Sequence, residues 1–144
     1  MKFKEILTES NVGDIENVKG VNNEALCSLV MYMIDHGIKV EPFPKVRVID
    51  DDEKNAEKLL GDTGNYDNEK KIITLYTLKR HPEDVLRSFC HEMIHHVQNL
   101  EGRIGHSDTE NVNKDTELEQ LESEANRRGT MIFRAWKDEQ TERK

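Results

Sequence analysis

The residues most able to do chemistry lie between positions 91 and 95, where His91-Glu92-Met93-Ile94-His95 forms an H-E-x-x-H pattern. On a helix, positions four apart stand one above the other, so both imidazoles can reach one metal ion at about 2.0–2.1 Å each. Glu92 lies about 100° round the helix, outside that shared face, but within reach of a water molecule held by the ion. Zinc lowers the pKa of such a water toward about 7, and a neighbouring carboxylate can take its proton. In a chain of this composition, random order yields only about 0.03 such matches. The flanking residues add a physical reason: Leu86, Phe89, Met93, Val97 and Leu100 cluster on the far side from His91 and His95. A helix built this way buries one face and offers two imidazoles from the other. His96 lies beside the apolar stripe and reads as a partly buried packing histidine.

A catalytic zinc takes three protein ligands and keeps one position open. The metzincin extension would need glycine three residues beyond His95 and histidine six beyond it. Gln98 and Glu101 stand there, which excludes that class. His106, eleven residues past His95, lies in a polar stretch and would be a poorly positioned ligand. The last helical segment offers Glu119, Glu122 and Glu124. With Glu122 at zero on its wheel, Leu118, Leu121, Ala125, Gly129, Ile132, Phe133 and Trp136 fall within about −100° to +20°. Glu122 is therefore expected inside the apolar stripe, Glu119 at its margin and Glu124 toward water. A carboxylate turned into a core needs a cation. Metal is the reading favoured here, with Glu122 as third ligand and Glu119 next. A buried pair with Arg103, Arg127 or Arg128 is the structural alternative. Gly129 would let this helix approach another closely.

These side chains need elements to hold them. Ala25, Leu26, Leu29, Val30, Met33 and Ile34 follow Asn22 and Asn23 at helical spacing, with Gly37 as the stop. Lys45 to Asp50 alternates as a strand, and residues 51–60 suggest a short helix before Gly61. The turn residues of 64–71, followed by Ile72-Ile73-Thr74-Leu75-Tyr76, predict a hairpin. Pro82 with Glu83 and Asp84 opens the metal helix, which should run to about Leu100 and stop near Gly102. Residues 101–116 read as a loop, and a final helix is expected from about Thr116 to Trp136. This gives a loose arm over 1–21, one domain over 22–137 and a frayed charged tail over 138–144.

The 144 residues carry 21 Lys+Arg against 29 Asp+Glu, a net charge of −8. Such a balance argues against a partner with a phosphate backbone. No apolar run reaches the ~20 residues that span a bilayer, and the first residues lack a secretory signal pattern. Cys27 and Cys90 make no disulfide framework, and Cys90 fits a buried reduced thiol. A reduced, cytoplasmic setting is the expectation, without nucleic acid or membrane as partner.

His91-Glu92-x-x-His95, followed on a later helix by Glu122-Ser123-Glu124-Ala125-Asn126, resembles the gluzincin arrangement. It is most similar to small zinc peptidase-like domains, the minigluzincins and the phage-encoded or intracellular ImmA/IrrE-type proteins, over about residues 22–136. Their Glu-x-x-Ala motif, whose first acid binds zinc, maps onto Glu122 and Ala125. The stretch from Gly64 to Leu75 is similar to the hairpin before their metal helix. The resemblance implies that the strand at Ile72–Tyr76 forms the cleft's upper edge and pairs with an extended peptide. Larger gluzincins carry a His or Tyr donor for the oxyanion; Tyr76, His96, His106 and Arg103 are the candidates here.

The expectation is thus an α+β zincin-like domain: an N-terminal helix on a small twisted sheet with an antiparallel edge hairpin, and two metal-binding helices. The expected function is zinc-dependent peptide-bond hydrolysis of a peptide or protein substrate. His91, His95 and Glu122 would bind zinc, and Glu92 would act as general base. The alternative is a non-catalytic zinc-binding interaction or sensor domain. A latent enzyme, its cleft blocked by a chain terminus, is a third form.

Overall fold

The computed structural model describes residues 23–49, 53, 63–104 and 114–142. The expected arm over 1–21, nearly all of the helix expected over 51–60, and His106 lie outside the described residues. The elements are α1 (Asn23–Asp35), β1 (Lys45–Ile49), β2 (Gly64–Asp67), β3 (Ile72–Tyr76), α2 (Pro82–Leu100) and α3 (Lys114–Glu142). This is a mixed α+β domain with a three-stranded sheet. Among the described residues no helix is long and apolar enough to cross a membrane.

α2 has the bounds its start and stop residues predict. Pro82 supplies the pre-set φ of the first turn, and the His81 ring Nδ1 accepts a hydrogen bond from the Glu83 N–H at 3.1 Å. Gly37 and Gly102, with φ of 79° and 77°, follow α1 and α2 in the left-handed conformation that glycine tolerates best. α3 runs two turns past the expected end. Lys137 to Glu142 contains neither glycine nor proline, and Lys137 pairs with Glu83 of α2. The residues expected to fray as a tail after Asp138 are thus helical as far as Glu142.

The hairpin is present: β2 and β3 are antiparallel, Tyr66 opposite Ile73, and Asp67 Oδ1 caps the turn by accepting from the Glu69 and Lys70 N–H groups. Its place in the sheet differs from the expectation. The order is β1-β3-β2, with β1 parallel to β3, so Ile72–Tyr76 is the central strand and cannot be the upper edge. Its buried Ile73, Thr74 and Leu75 form the unbroken run of a strand covered on both faces. β2 is the outer strand on the hairpin side.

α2 is the centre of the domain. The sheet packs on it through β2 and β3, and α1 and α3 pack on it as well. α1 packs on both α2 and α3. Its buried Leu26, Leu29, Val30 and Met33 join the one core, and Trp136 Nε1 of α3 donates to Ser28 Oγ at 2.9 Å. Gly129 sets the spacing of the two long helices: a Cβ there would lie 3.0 Å from His91 Cα and N. Any side chain would push α3 away from the residue that begins the metal motif.

Candidate metal centre

α2 projects His91 and His95 into a cleft of about 640 Å³ that opens between β2 and α3. Their Nε2 atoms are 3.2 Å apart. Glu122 reaches them from α3, with Oε1 3.2 Å from His91 Nε2 and Oε2 2.7 Å from His95 Nε2. Three ligands at zinc–nitrogen and zinc–oxygen distances in a tetrahedron lie about 3.3 Å from one another, so these separations fit a shared ion. His91, Glu92 and His95 also offer ligand atoms within 4.8 Å of one another, a group able to hold a metal ion.

The tautomer of His95 strengthens the case. Gln98, with no exposed surface, donates from Nε2 to Leu121 O at 3.0 Å and to Glu124 Oε1 at 2.6 Å. Its Oε1 therefore faces His95 Nδ1, 2.9 Å away, and that nitrogen must carry the proton. On the neutral ring, Nε2 then presents a lone pair toward the Glu122 carboxylate and His91 Nε2. Lone pairs aimed together ask for a cation between them. His91 is held by a hydrogen bond with the Asn126 side chain, one turn beyond Glu122. Burial, and next the nearby His95, lower the His91 pKa from its ordinary value, which favours the neutral, ligating form.

Gln98 thus orients His95 and ties it to the turn of α3 that carries Glu122. Sequence reasoning used Gln98 only to exclude the metzincin pattern. A signal was available, because three residues past His95 it shares the imidazole face. Gln98→Leu is expected to weaken metal binding about 10–100-fold with helix content kept. Competition titration against a chelating dye, alongside circular dichroism, checks this.

Two expectations about the acids need correction. Glu122 is not inside the apolar stripe: its side chain is 59% exposed, at the cleft mouth. Glu124, expected in water, is mostly covered and bonded to Gln98, Arg103 and Arg128. The wheel counted Leu118 and Leu121 with the packing face, but both line the open cleft. The buried line of α3 runs through Ala125, Ile132, Phe133 and Trp136. The arginines considered as partners for Glu122 thus include two that hold Glu124. Glu119 is exposed and does not line the cleft.

Glu92 is 6% exposed yet lines the same cleft. β2 lies over it: a Cβ on Gly64 would sit 3.4 Å from Glu92 Cγ. Burial, and then the charge of Glu122, push its carboxyl up to about 8. A carboxylate so placed can exchange a proton near neutral pH.

His96 is fully buried, as a packing histidine. It donates from Nε2 to Pro42 O at 2.6 Å, and its Nδ1 meets Tyr66 Oη at 2.7 Å. It is not available to an oxyanion. Arg103 is engaged by Glu101 and Glu124, and Tyr76 does not line the cleft. Cys27 and Cys90 are both buried and form no disulfide, and burial raises the Cys90 pKa.

The chain matches no protein-family model, no curated protein and no solved structure.

Proposed function

We propose that this chain is a zinc-dependent peptidase of the gluzincin type, similar to the minigluzincins and ImmA/IrrE-type domains. The observation that carries this reading is the convergence of two imidazole Nε2 atoms and the Glu122 carboxylate beside the buried Glu92. Two nitrogens and one carboxylate oxygen suit zinc, and this ligand set leaves a fourth position open.

Zinc bound there would polarise a peptide carbonyl and acidify a water molecule. Glu92 takes the proton of that water as its oxygen adds to the carbonyl carbon. It then delivers the proton to the departing amine nitrogen as the C–N bond breaks, and ends as it began. Gln98 and Asn126 keep the imidazoles oriented throughout. β2 supports an extended substrate: it is paired only with β3 among the described residues, and Gly64, Asn65 and Tyr66 line the cleft. Backbone pairing along this strand would bind peptides of varied sequence.

Metal analysis tests the reading. The purified protein should carry near-stoichiometric zinc, and Glu122→Ala should lose it. Zinc retained in that variant would remove α3 from the site and, with it, the gluzincin reading.

A further inference from the structure

The cleft extends beyond the three donors, and its two ends differ in chemistry. α2 and α3 run antiparallel: Gln98 meets Leu121 and Glu124, Gly129 faces His91, Arg87 lies over Phe133, and Glu83 pairs with Lys137. Toward the end of α2 the cleft is lined by Ile104, Leu118 and Leu121. Toward its start it is lined by Arg87, Ser88 and Thr130. His91, His95 and Glu122 lie between.

Arg87 is the only lysine or arginine among the described residues of the cleft wall. It stands one turn before His91 on the same helix face. Its guanidinium carbon is 5.4 Å from the ring centroid of the buried Phe133, a contact that restrains the plane of the group. Asp84 accepts from one Nη at 3.1 Å, but both side chains are half exposed. Such a pair is weak and exchangeable, and it leaves further N–H donors of the fork. Beside it, Ser88 Oγ accepts from Arg80 Nη2 at 2.8 Å, so the Ser88 proton remains to be donated. Arg80 is itself fixed to the carbonyls of Thr63, Tyr76 and Asp84. A planar cation with a hydroxyl donor next to it matches a carboxylate, which accepts two parallel bonds from a guanidinium.

We propose that the Arg87 end of the cleft is a subsite for a carboxylate of the bound peptide, carried by an Asp or Glu side chain or by the free C-terminus. The proposal rests on the peptidase reading of the same cleft. On a chain of net charge −8, one cation in the cleft selects an acidic ligand locally and does not steer it from a distance.

Binding of short peptides to the zinc-loaded Glu92→Gln protein, measured by calorimetry, tests it. The peptides differ by Asp or Glu against Asn, Gln or Lys at each position, each made with a free or an amidated C-terminus. An acidic peptide should bind about tenfold more tightly than its neutral counterpart. Arg87→Gln should abolish that difference, and Arg87→Glu should reverse it in favour of lysine. Preference within the amidated set assigns the subsite to a side chain; preference confined to free termini assigns it to the C-terminus. Equal affinities, a preference that survives Arg87→Gln, or no binding of any peptide would overturn the proposal. Hydrolysis of the same peptides by the unaltered protein is scored separately. Cleavage without acidic preference removes only the subsite, whereas acidic preference without cleavage removes only the peptidase reading.

Discussion

Glu92→Gln should leave a protein that binds one zinc ion and hydrolyses peptides at least 10²–10⁴-fold more slowly than the unaltered chain, roughly the contribution of a positioned general base. The substitution keeps shape and removes only the basic oxygen. Glu92 sits under β2, with Gly64 against its side-chain stem, so the amide fits without displacing the strand. His91, His95 and Glu122 supply the ion's ligands in this reading, and zinc content should hold. The kcat/KM for a quenched fluorescent peptide, with metal analysis of the same sample, reads both quantities. Turnover within tenfold of the unaltered protein would show that some other group moves the proton. No cleavage by either protein would favour a zinc domain used for stability or contact.

The sequence made α2 legible because several local signals agree there: a proline at the first position, acids behind it, an apolar stripe and a glycine after the end. The hairpin was legible from its turn residues and β-branched run. The partner of a strand is a different kind of information. Ile72 to Tyr76 looks the same as a strand whether one side or both are paired, so its central place came only from its pairing with β1. α1 met a similar limit, since its stripe announces burial without naming the surface that buries it. On α3 the wheel separated apolar from polar directions correctly, but it had no knowledge of where the cleft opens. Leu118 and Leu121 look like core residues and line a cavity; Glu124 looks like a surface acid and is held by Gln98 and two arginines. Convergence of Glu122 with the imidazoles was expected, while the reason given for it, an acid turned into the core, was not what the fold uses. The long helix carries Glu122 to the cleft mouth, and the spacing permitted by Gly129 brings it within reach.

Metal-free protein should become less stable as pH rises from 6.5 to 8, by about 2 kcal/mol. The cause is Glu92, whose carboxyl is pushed from an ordinary 4.5 to about 8, first by burial and then by the charge of Glu122. Between those two values the native chain holds a proton that the unfolded chain has released. Unfolding then releases that proton, and each pH unit crossed costs up to about 1.4 kcal/mol of stability. The loss starts above 4.5 and is complete above about 8. His91 and His96 act with the opposite sign. Burial is the leading cause lowering both, so the native state binds fewer protons than the unfolded chain below 6.5, and stability falls as pH is lowered through that region. The two trends oppose each other below 6.5, and Glu92 dominates only above it. Urea melts in chelator, compared between the unaltered chain and Glu92→Gln, should therefore draw apart from pH 6.5 to 8, with the variant the more stable. Saturating zinc should remove most of the separation, because a dication beside Glu92 favours its charged form and binds only the folded chain. Parallel curves for the two proteins in chelator would mean that Glu92 is hydrated in solution and that β2 does not cover it.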